Sequence, residues 1–445
     1  MREHFDDFLN KMTTLPTPSL VEQANAILQA ATQLQQQLDD HGLQQPSLEV
    51  GGRKDWHDAA GSPEILKTRS LLLNASQTML NLAYGPIDAM SALTGPEVCK
   101  LEVMRTLDAL GVPQAVPSHA DIRVEELAAT LGVNESLLYR HLQFAFLLGM
   151  FYEPRDGFVA HTNLSTALID FSPYIKMRLS PLFIKGVDKV PEAIKLSRTE
   201  SGIVPCELAD SRQRTMWQML EQDYPEGQGM KLFSEAMETT LLYSMGPTLS
   251  PYVHGFEWDS FGTGTVIDVG GGSGLVEVNL VKKFPNLDFV IQDLPTNAEP
   301  AQVLITQHEA QDRIKFQPHD FFQPQPTQGT PPKAYLLSRV LHDWQDDDCI
   351  KILRNLLPAM ETHGTKLLVC ERMLPDRPGD IFNHIEQLLR TRDMIMFTLY
   401  GGGERSLRDW VELFRKADAR LTVESVKQPL NSVASFLTLG IRMDQ

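Results

Sequence analysis

From residue 265 onward, short runs of apolar and β-branched residues alternate with longer amphipathic stretches. The strand-like runs are 265–269, 288–292, 314–318, 334–341, 366–370, 420–424 and 434–441. Between them, 274–284, 297–311, 346–360, 382–399 and 406–418 repeat their apolar positions at helical spacing. This alternation predicts an α/β fold, a Rossmann-like doubly wound sheet whose ligands lie beyond the C-terminal ends of the strands.

The chain ahead of residue 265 reads as mainly helical. Ser19 and Glu22 make a capping box for a helix over 19–41. Its Leu20, Ala24, Ile27, Ala31, Leu34 and Leu38 form a seam that suits either its own domain or a second subunit. Glycines and prolines between 42 and 63 predict a mobile connection. Segments 63–84, 97–110, 163–185 and 210–246 are helical in pattern. Residues 121–162 combine two helices around the turn Leu131–Asn134 with a hairpin turning at Asp156-Gly157, a winged helix-turn-helix pattern. Its second helix carries Leu142, Phe144, Phe146, Leu147 and Leu148, so it suits packing or dimerisation better than phosphate contacts. The expected divisions are a helical extension over 1–90, a winged-helix domain over 91–235 and the Rossmann-like domain over 236–445.

Charge narrows the partners. Forty Lys and Arg against 57 Asp and Glu leave a net charge of −17, which disfavours nucleic acid and anionic membranes. The four cysteines form no CxxC pair, which argues against a zinc site or a disulfide framework and suits the cytoplasm. The first twelve residues lack the apolar core of a signal peptide, and no apolar run of about 18 residues predicts a membrane span.

The candidate chemistry sits at the strand ends. Val266-Ile267-Asp268-Val269 runs into Gly270-Gly271-Gly272-Ser273-Gly274, a turn that lets a ligand lie on bare backbone at a helix N-terminus. Leu275 stands where a dinucleotide fingerprint needs its third glycine, so a ligand without a pyrophosphate fits better. Asp293, 23 residues past Gly270, is at the separation of an acid that accepts from ribose hydroxyls, although an Asp before Leu-Pro also caps turns. Asp320 can accept from an adenine amino group with Phe321 or Phe322 over the ring, or serve as a turn acid beside core aromatics. His342, framed by Asp343 and Trp344 after the fourth strand, is placed to take a proton from a weakly acidic hydroxyl. Glu371 ends the fifth strand, where a carboxylate can orient that imidazole. Glu404 is either a second such carboxylate or an acid beside the helix that Ser406 and Asp409 cap.

In order, VIDVGGGSG, QDLP, HDFF, LSRVLHDW, LLVCERMLPD and GGGERS resemble the class I S-adenosylmethionine-dependent O-methyltransferases. The similarity is closest to the caffeic acid and flavonoid enzymes and their fungal polyketide-tailoring relatives, and it covers roughly residues 90 to 445. It implies S-adenosylmethionine held by Gly270, Gly272, Asp293, Leu294, Asp320, Phe321, Ser338 and Arg339. Plant members carry Lys at the position of Ser338. It also implies His342 as general base flanked by Glu371 and Glu404, an acceptor pocket lined by Phe233, Met237, Asp343 and Met396, no metal, a small aromatic or polyketide-derived acceptor, and a homodimer. Some relatives of this fold instead dehydrate or cyclise their substrates beside the bound sulfonium, and the intact His342, Glu371 and Glu404 favour methylation over that alternative.

Overall fold

The computed structural model describes residues 18–54, 56, 62–243, 249–326, 330–429 and 432–442. The reading of the first twelve residues lies outside them, as do parts of the 42–63 connection and the end of the 210–246 segment. The chain divides into one unit of residues 1–45 and 61–101 and another of 46–60 and 102–445.

In the first unit, α1 (Leu20–Asp40) opens on the expected capping box: Ser19 Oγ accepts from the Glu22 N–H, and Glu22 accepts from the Ser19 N–H. Leu34 and Leu38 of its seam are buried, while Leu20 and Ala24 are exposed. Next comes α2 (Pro63–Thr94), which breaks at Gly85, where φ is 66°. Pro86 follows and has no N–H to continue the ladder, so the helical pattern stops at 84. Beyond that break, Ile87, Met90 and Leu93 are exposed at 82%, 59% and 60%. The next helix, α3 (Pro96–Ala109), leads into the second unit.

The winged-helix pattern folds as such. The strand β1 (Ile122–Arg123) precedes α4 (Val124–Leu131) and α5 (Glu135–Leu147). The hairpin β2 (Phe151–Tyr152) and β3 (Phe158–His161) follows, giving the sheet order β1-β3-β2. Asn134 caps α5 by accepting from the Leu137 N–H. Leu142 and Phe151 are fully buried in this core, whereas Leu147 is exposed. Then come α6 (Asn163–Arg178), α7 (Pro181–Leu196), α8 (Met216–Gln222) and α9 (Gln228–Tyr243).

The remaining strands are β4 (Gly264–Val269), β5 (Leu287–Asp293), β6 (Ile314–Pro318), β7 (Ala334–Ser338), β8 (Lys366–Leu374), β9 (Arg405–Ser406), β10 (Leu421–Lys427) and β11 (Ala434–Ile441). The main sheet runs β10-β11-β8-β7-β4-β5-β6, with β9 pairing the far end of β8. All its pairs are parallel except those made by β11. The helices α10 (Leu275–Lys283), α11 (Ala298–Gln307), α12 (Asp346–His363), α13 (Asn383–Tyr400) and α14 (Leu407–Ala417) complete the expected Rossmann-like architecture. After β4 the chain goes first to β5 on one side and later to β7 on the other. The crevice beyond β4 and β7 is therefore the topological switch point where such sheets take ligands.

Three strands differ from their sequence pattern, and one of them, β8, runs past 370 to Leu374, where Met373 and Leu374 pair with β9. The apolar run 334–341 yields a strand only to Ser338. Arg339 turns with φ 59°, and Leu341–Asp343 form a single 3₁₀ turn. The cause is Glu371, whose Oε1 accepts the N–H groups of Val340 and Leu341 at 3.0 and 2.8 Å and draws them out of the ladder. At the sheet edge, β10 extends to Lys427 because residues 424–427 face solvent and need no apolar pattern. Among the described residues, no helix is long and apolar enough to cross a membrane.

Candidate active site

The glycine turn leaves β4 with Gly270 at φ 84° and Gly272 at φ 58°. A Cβ on Gly270 would stand 2.7 Å from Val340 Cγ2, so packing alone demands glycine there. At Gly272 nothing lies within 4 Å of the Cβ position, which leaves the backbone open on that side. Asp293 clamps the turn. Its Oδ2 accepts from the Gly272 N–H at 2.8 Å, and its Oδ1 accepts from Leu294 N–H and Asn297 Nδ2 at 2.7 and 2.8 Å. Leu294 itself is half exposed. Asp320 Oδ1 accepts the Phe322 N–H at 2.9 Å, which makes it a turn acid whatever else it holds. Of the two phenylalanines, Phe321 borders the glycine turn, with Cε1 3.5 Å from the Gly270 Cβ position. Phe322 packs edge-on against Trp344 at 4.7 Å.

Three acids around this turn escaped the sequence pattern. Glu238 on α9 accepts from Ser273 Oγ at 3.4 Å, and burial raises its carboxyl pKa. Its neighbours in sequence give no hint, because the contact crosses 35 residues. Beneath the turn, Asp268 and Glu277 are 2% and 0% exposed. Burial raises both carboxyl groups, and the charge of Glu277 pushes Asp268 up further.

An open cradle of glycine backbone at the N-terminus of α10, with Asp293 at the end of the adjacent β5, suits a nucleoside bearing no diphosphate. S-adenosylmethionine fits that description, and the residues present match it.

Beside the cradle lies His342, 4% exposed. Register explains its partner: Ser338 of β7 pairs with Cys370 of β8, so Glu371 projects next to the turn that carries the histidine. His342 Nδ1–H donates to Glu371 Oε2 at 2.6 Å. This bond directs the remaining lone pair to Nε2, which lies 3.4 Å from Asp343 Oδ1. Burial pulls the imidazole pKa down, but Glu371, Asp343 and Glu404 together outweigh it and raise it to about 9. Burial lifts Asp343 to about 6, and the imidazolium opposes that rise. Glu371 is held below the usual carboxylate range because the imidazolium, Arg372 and backbone donors overcome its burial.

Glu404 joins the group. Its Oε1 accepts from Arg372 Nη1 at 3.3 Å, its N–H donates to Asp393 Oδ1 at 2.9 Å, and its Oε2 is buried without a hydrogen-bond partner. Ser406 and Asp409 form the capping box of α14 by themselves, so Glu404 is not spent as a cap. The glycines before it press onto the histidine turn. Gly403 N–H donates to His342 O at 3.0 Å, and a Cβ on Gly402 would fall 2.4 Å from that oxygen. His342, Glu371 and Glu404 bring one potential metal-ligand atom each within 4.8 Å of one another. Both Glu371 oxygens are already committed to N–H donors.

Phe233 and Met237 on α9 and Met396 on α13 share one apolar cluster with Trp217 and Tyr400. Trp217 meets Phe233 edge-on at 4.8 Å and Tyr400 at 5.5 Å. Burial, with the Asp343 charge adding to it, drives the Tyr400 phenol well above its ordinary range, so this cluster adjoins the histidine turn. Sequence reasoning found neither Trp217 nor Tyr400, although Tyr400 directly precedes the GGG run. Ser338 ends β7. Arg339 points toward α9: its Nη2 donates to Thr240 Oγ1 at 3.3 Å and lies 3.7 Å from Met237 Sδ.

Known proteins share this architecture. The O-methyltransferase domain family matches residues 216–419. O-methyltransferase aurJ of Gibberella zeae is 30% identical over 458 residues, covering 97% of this chain and all of that protein. The grayanic acid biosynthesis cluster O-methyltransferase of Cladonia grayi is 30% identical over 370 residues, covering 82% and 75% of the two chains. The crystal structure of OxaC, 20% identical, superposes with a TM-score of 0.74 over 95% of this chain and 99% of that one, a likeness of fold. The chain belongs to the S-adenosylmethionine-dependent O-methyltransferases.

Proposed function

We propose that this O-methyltransferase methylates a phenolic or enolic hydroxyl of a secondary metabolite, with His342 as the general base. One observation carries the reading: a buried imidazole whose Nδ1–H is held by Glu371 at 2.6 Å, which leaves Nε2, beside Asp343, as the nitrogen that can take a proton. Gly270, Gly272, Asp293, Leu294, Asp320, Phe321 and Ser338 form the cofactor side, while Phe233, Met237, Met396 and Asp343 form the acceptor side. When bound, S-adenosylmethionine supplies an electrophilic methyl group on a sulfonium. The protein's task is to orient the acceptor oxygen, exclude water and remove its proton.

Energetics support His342 in that task. A phenol near pKa 10 and an ordinary imidazole near 6.5 differ by about 3.5 units, or roughly 5 kcal/mol against transfer. With the imidazole raised to about 9, the gap shrinks to about one unit, roughly 1.4 kcal/mol. The raised pKa also keeps most of the free enzyme's His342 protonated at pH 7. We therefore expect log kcat/KM to climb with unit slope through neutral pH and level near pH 9. The test is incubation with methyl-labelled cofactor and a panel of phenols. Label transferred to oxygen along this pH profile supports the reading. Bound cofactor that is never consumed, with an acceptor dehydrated or cyclised instead, would replace it with the alternative chemistry.

The exposed apolar residues Ile87, Met90 and Leu93 of α2 favour a second copy of the chain as their cover. Sedimentation at twice the chain mass is the expected result, and a species of 49.9 kDa at micromolar concentration would overturn it.

A further inference from the structure

Arg339 is poorly explained by the cofactor. It is one of three non-glycine residues with positive φ among those described, a backbone state that L side chains seldom adopt. The turn sends its guanidinium across to α9, where it meets a thioether and a hydroxyl, both weak acceptors for a cation. Its Nε is buried and lacks any hydrogen-bond partner. Among the described residues, no carboxylate comes within ion-pair distance of it, whereas Arg372 has Glu404 and Arg405 has Asp346. The residue as a whole is half-buried, but a buried guanidinium N–H left without an acceptor is costly unless a ligand completes it. The two sides of its environment show which ligand. Met237 belongs to the aromatic acceptor cluster, and Asp343 and Glu371, which feel its charge, flank His342.

We propose that Arg339 determines acceptor specificity by binding a carbonyl or carboxylate oxygen adjacent to the hydroxyl that is methylated. The proposal rests on the methyl-transfer reading above and names its substrate class: phenols or enols with an ortho or peri oxygen acceptor. The chemistry is coherent. In such compounds the hydroxyl proton is shared internally with the neighbouring oxygen. A guanidinium that takes that oxygen through Nε–H and an η nitrogen competes for it and frees the proton for His342 Nε2.

The test uses 1-hydroxyanthraquinone, whose hydroxyl lies beside an oxo group, and 2-hydroxyanthraquinone, whose hydroxyl does not. Calorimetry on the S-adenosylhomocysteine-loaded full chain measures binding of each isomer, and kcat/KM is measured where turnover occurs. The expected result is at least a tenfold preference for the 1-hydroxy isomer, lost in Arg339→Met through weaker binding and partly restored in Arg339→Lys. S-adenosylhomocysteine affinity is measured for every variant. Its decline in Arg339→Met with the isomer preference intact would reassign Arg339 to the cofactor and overturn the proposal. Equal binding of both isomers by the unaltered protein would overturn it too. An Arg339-dependent binding preference without methylation would uphold this assignment while sinking the methyl-transfer reading. Melting curves for the methionine and lysine variants separate recognition from misfolding.

Discussion

Replacing His342 with alanine lowers kcat by about three orders of magnitude, within the 10²–10⁴ range of a positioned general base. The loss falls on kcat because the imidazole acts as the proton leaves the acceptor, and the glycine cradle that faces the cofactor is built from other residues. S-adenosylhomocysteine affinity accordingly stays within a few fold. The residual rate follows the acceptor's own ionisation, so the levelling near pH 9 disappears and the rate keeps rising toward the phenol pKa. Rate measurements from pH 6 to 10 on both proteins check this. A variant retaining a tenth of the activity with the same inflection would remove His342 from the chemistry.

The second large effect belongs to Glu371. This side chain, 1% exposed, holds the imidazole through Oε2 and the Val340 and Leu341 N–H groups through Oε1. Glu371→Ala leaves two backbone donors and a buried cation without partners. The cost is about 3–5 kcal/mol of stability, with activity down by at least tenfold as the histidine turn relaxes. Glu371→Gln separates the two roles. Its amide oxygen can still receive the backbone donors, but its NH2 then faces Nδ1. The charge that favours imidazolium is gone, and neutral His342 carries its proton on Nε2, which lowers kcat as well. Burial then pulls the imidazole pKa down, so neutral His342 appears at lower pH. The inflection in kcat/KM is expected to move from about 9 toward neutral or below, with only a modest fall in melting temperature. An unchanged inflection in Glu371→Gln would show that another group titrates.

Local interactions were the legible part. The capping boxes at Ser19 and Ser406, the Asn134 cap and the Asp156-Gly157 hairpin each close within a few residues, so their hydrogen bonds can be read from spacing alone. The alternation of apolar runs likewise predicted the strands and helices of the sheet. It misjudged the end of β7, where the run 334–341 keeps an apolar pattern although Glu371 has taken its backbone donors. Nothing near residue 340 in sequence announces a carboxylate 31 residues away.

What the sequence by itself determined is the α/β architecture, the open glycine turn and the identity of the residues at the strand ends, because periodicity and turn chemistry act over short distances. Strand order and register decided the rest. They set β7 beside β8, so that His342 meets Glu371. They bring the GGG run against the histidine carbonyl, where Gly402 tolerates no side chain. They also join Trp217, Phe233 and Tyr400, spread over 184 residues, into one aromatic wall, and aim Arg339 at α9 away from the sheet. Contacts across such separations depend on which elements the sheet makes neighbours, and that order emerges only when the whole core packs.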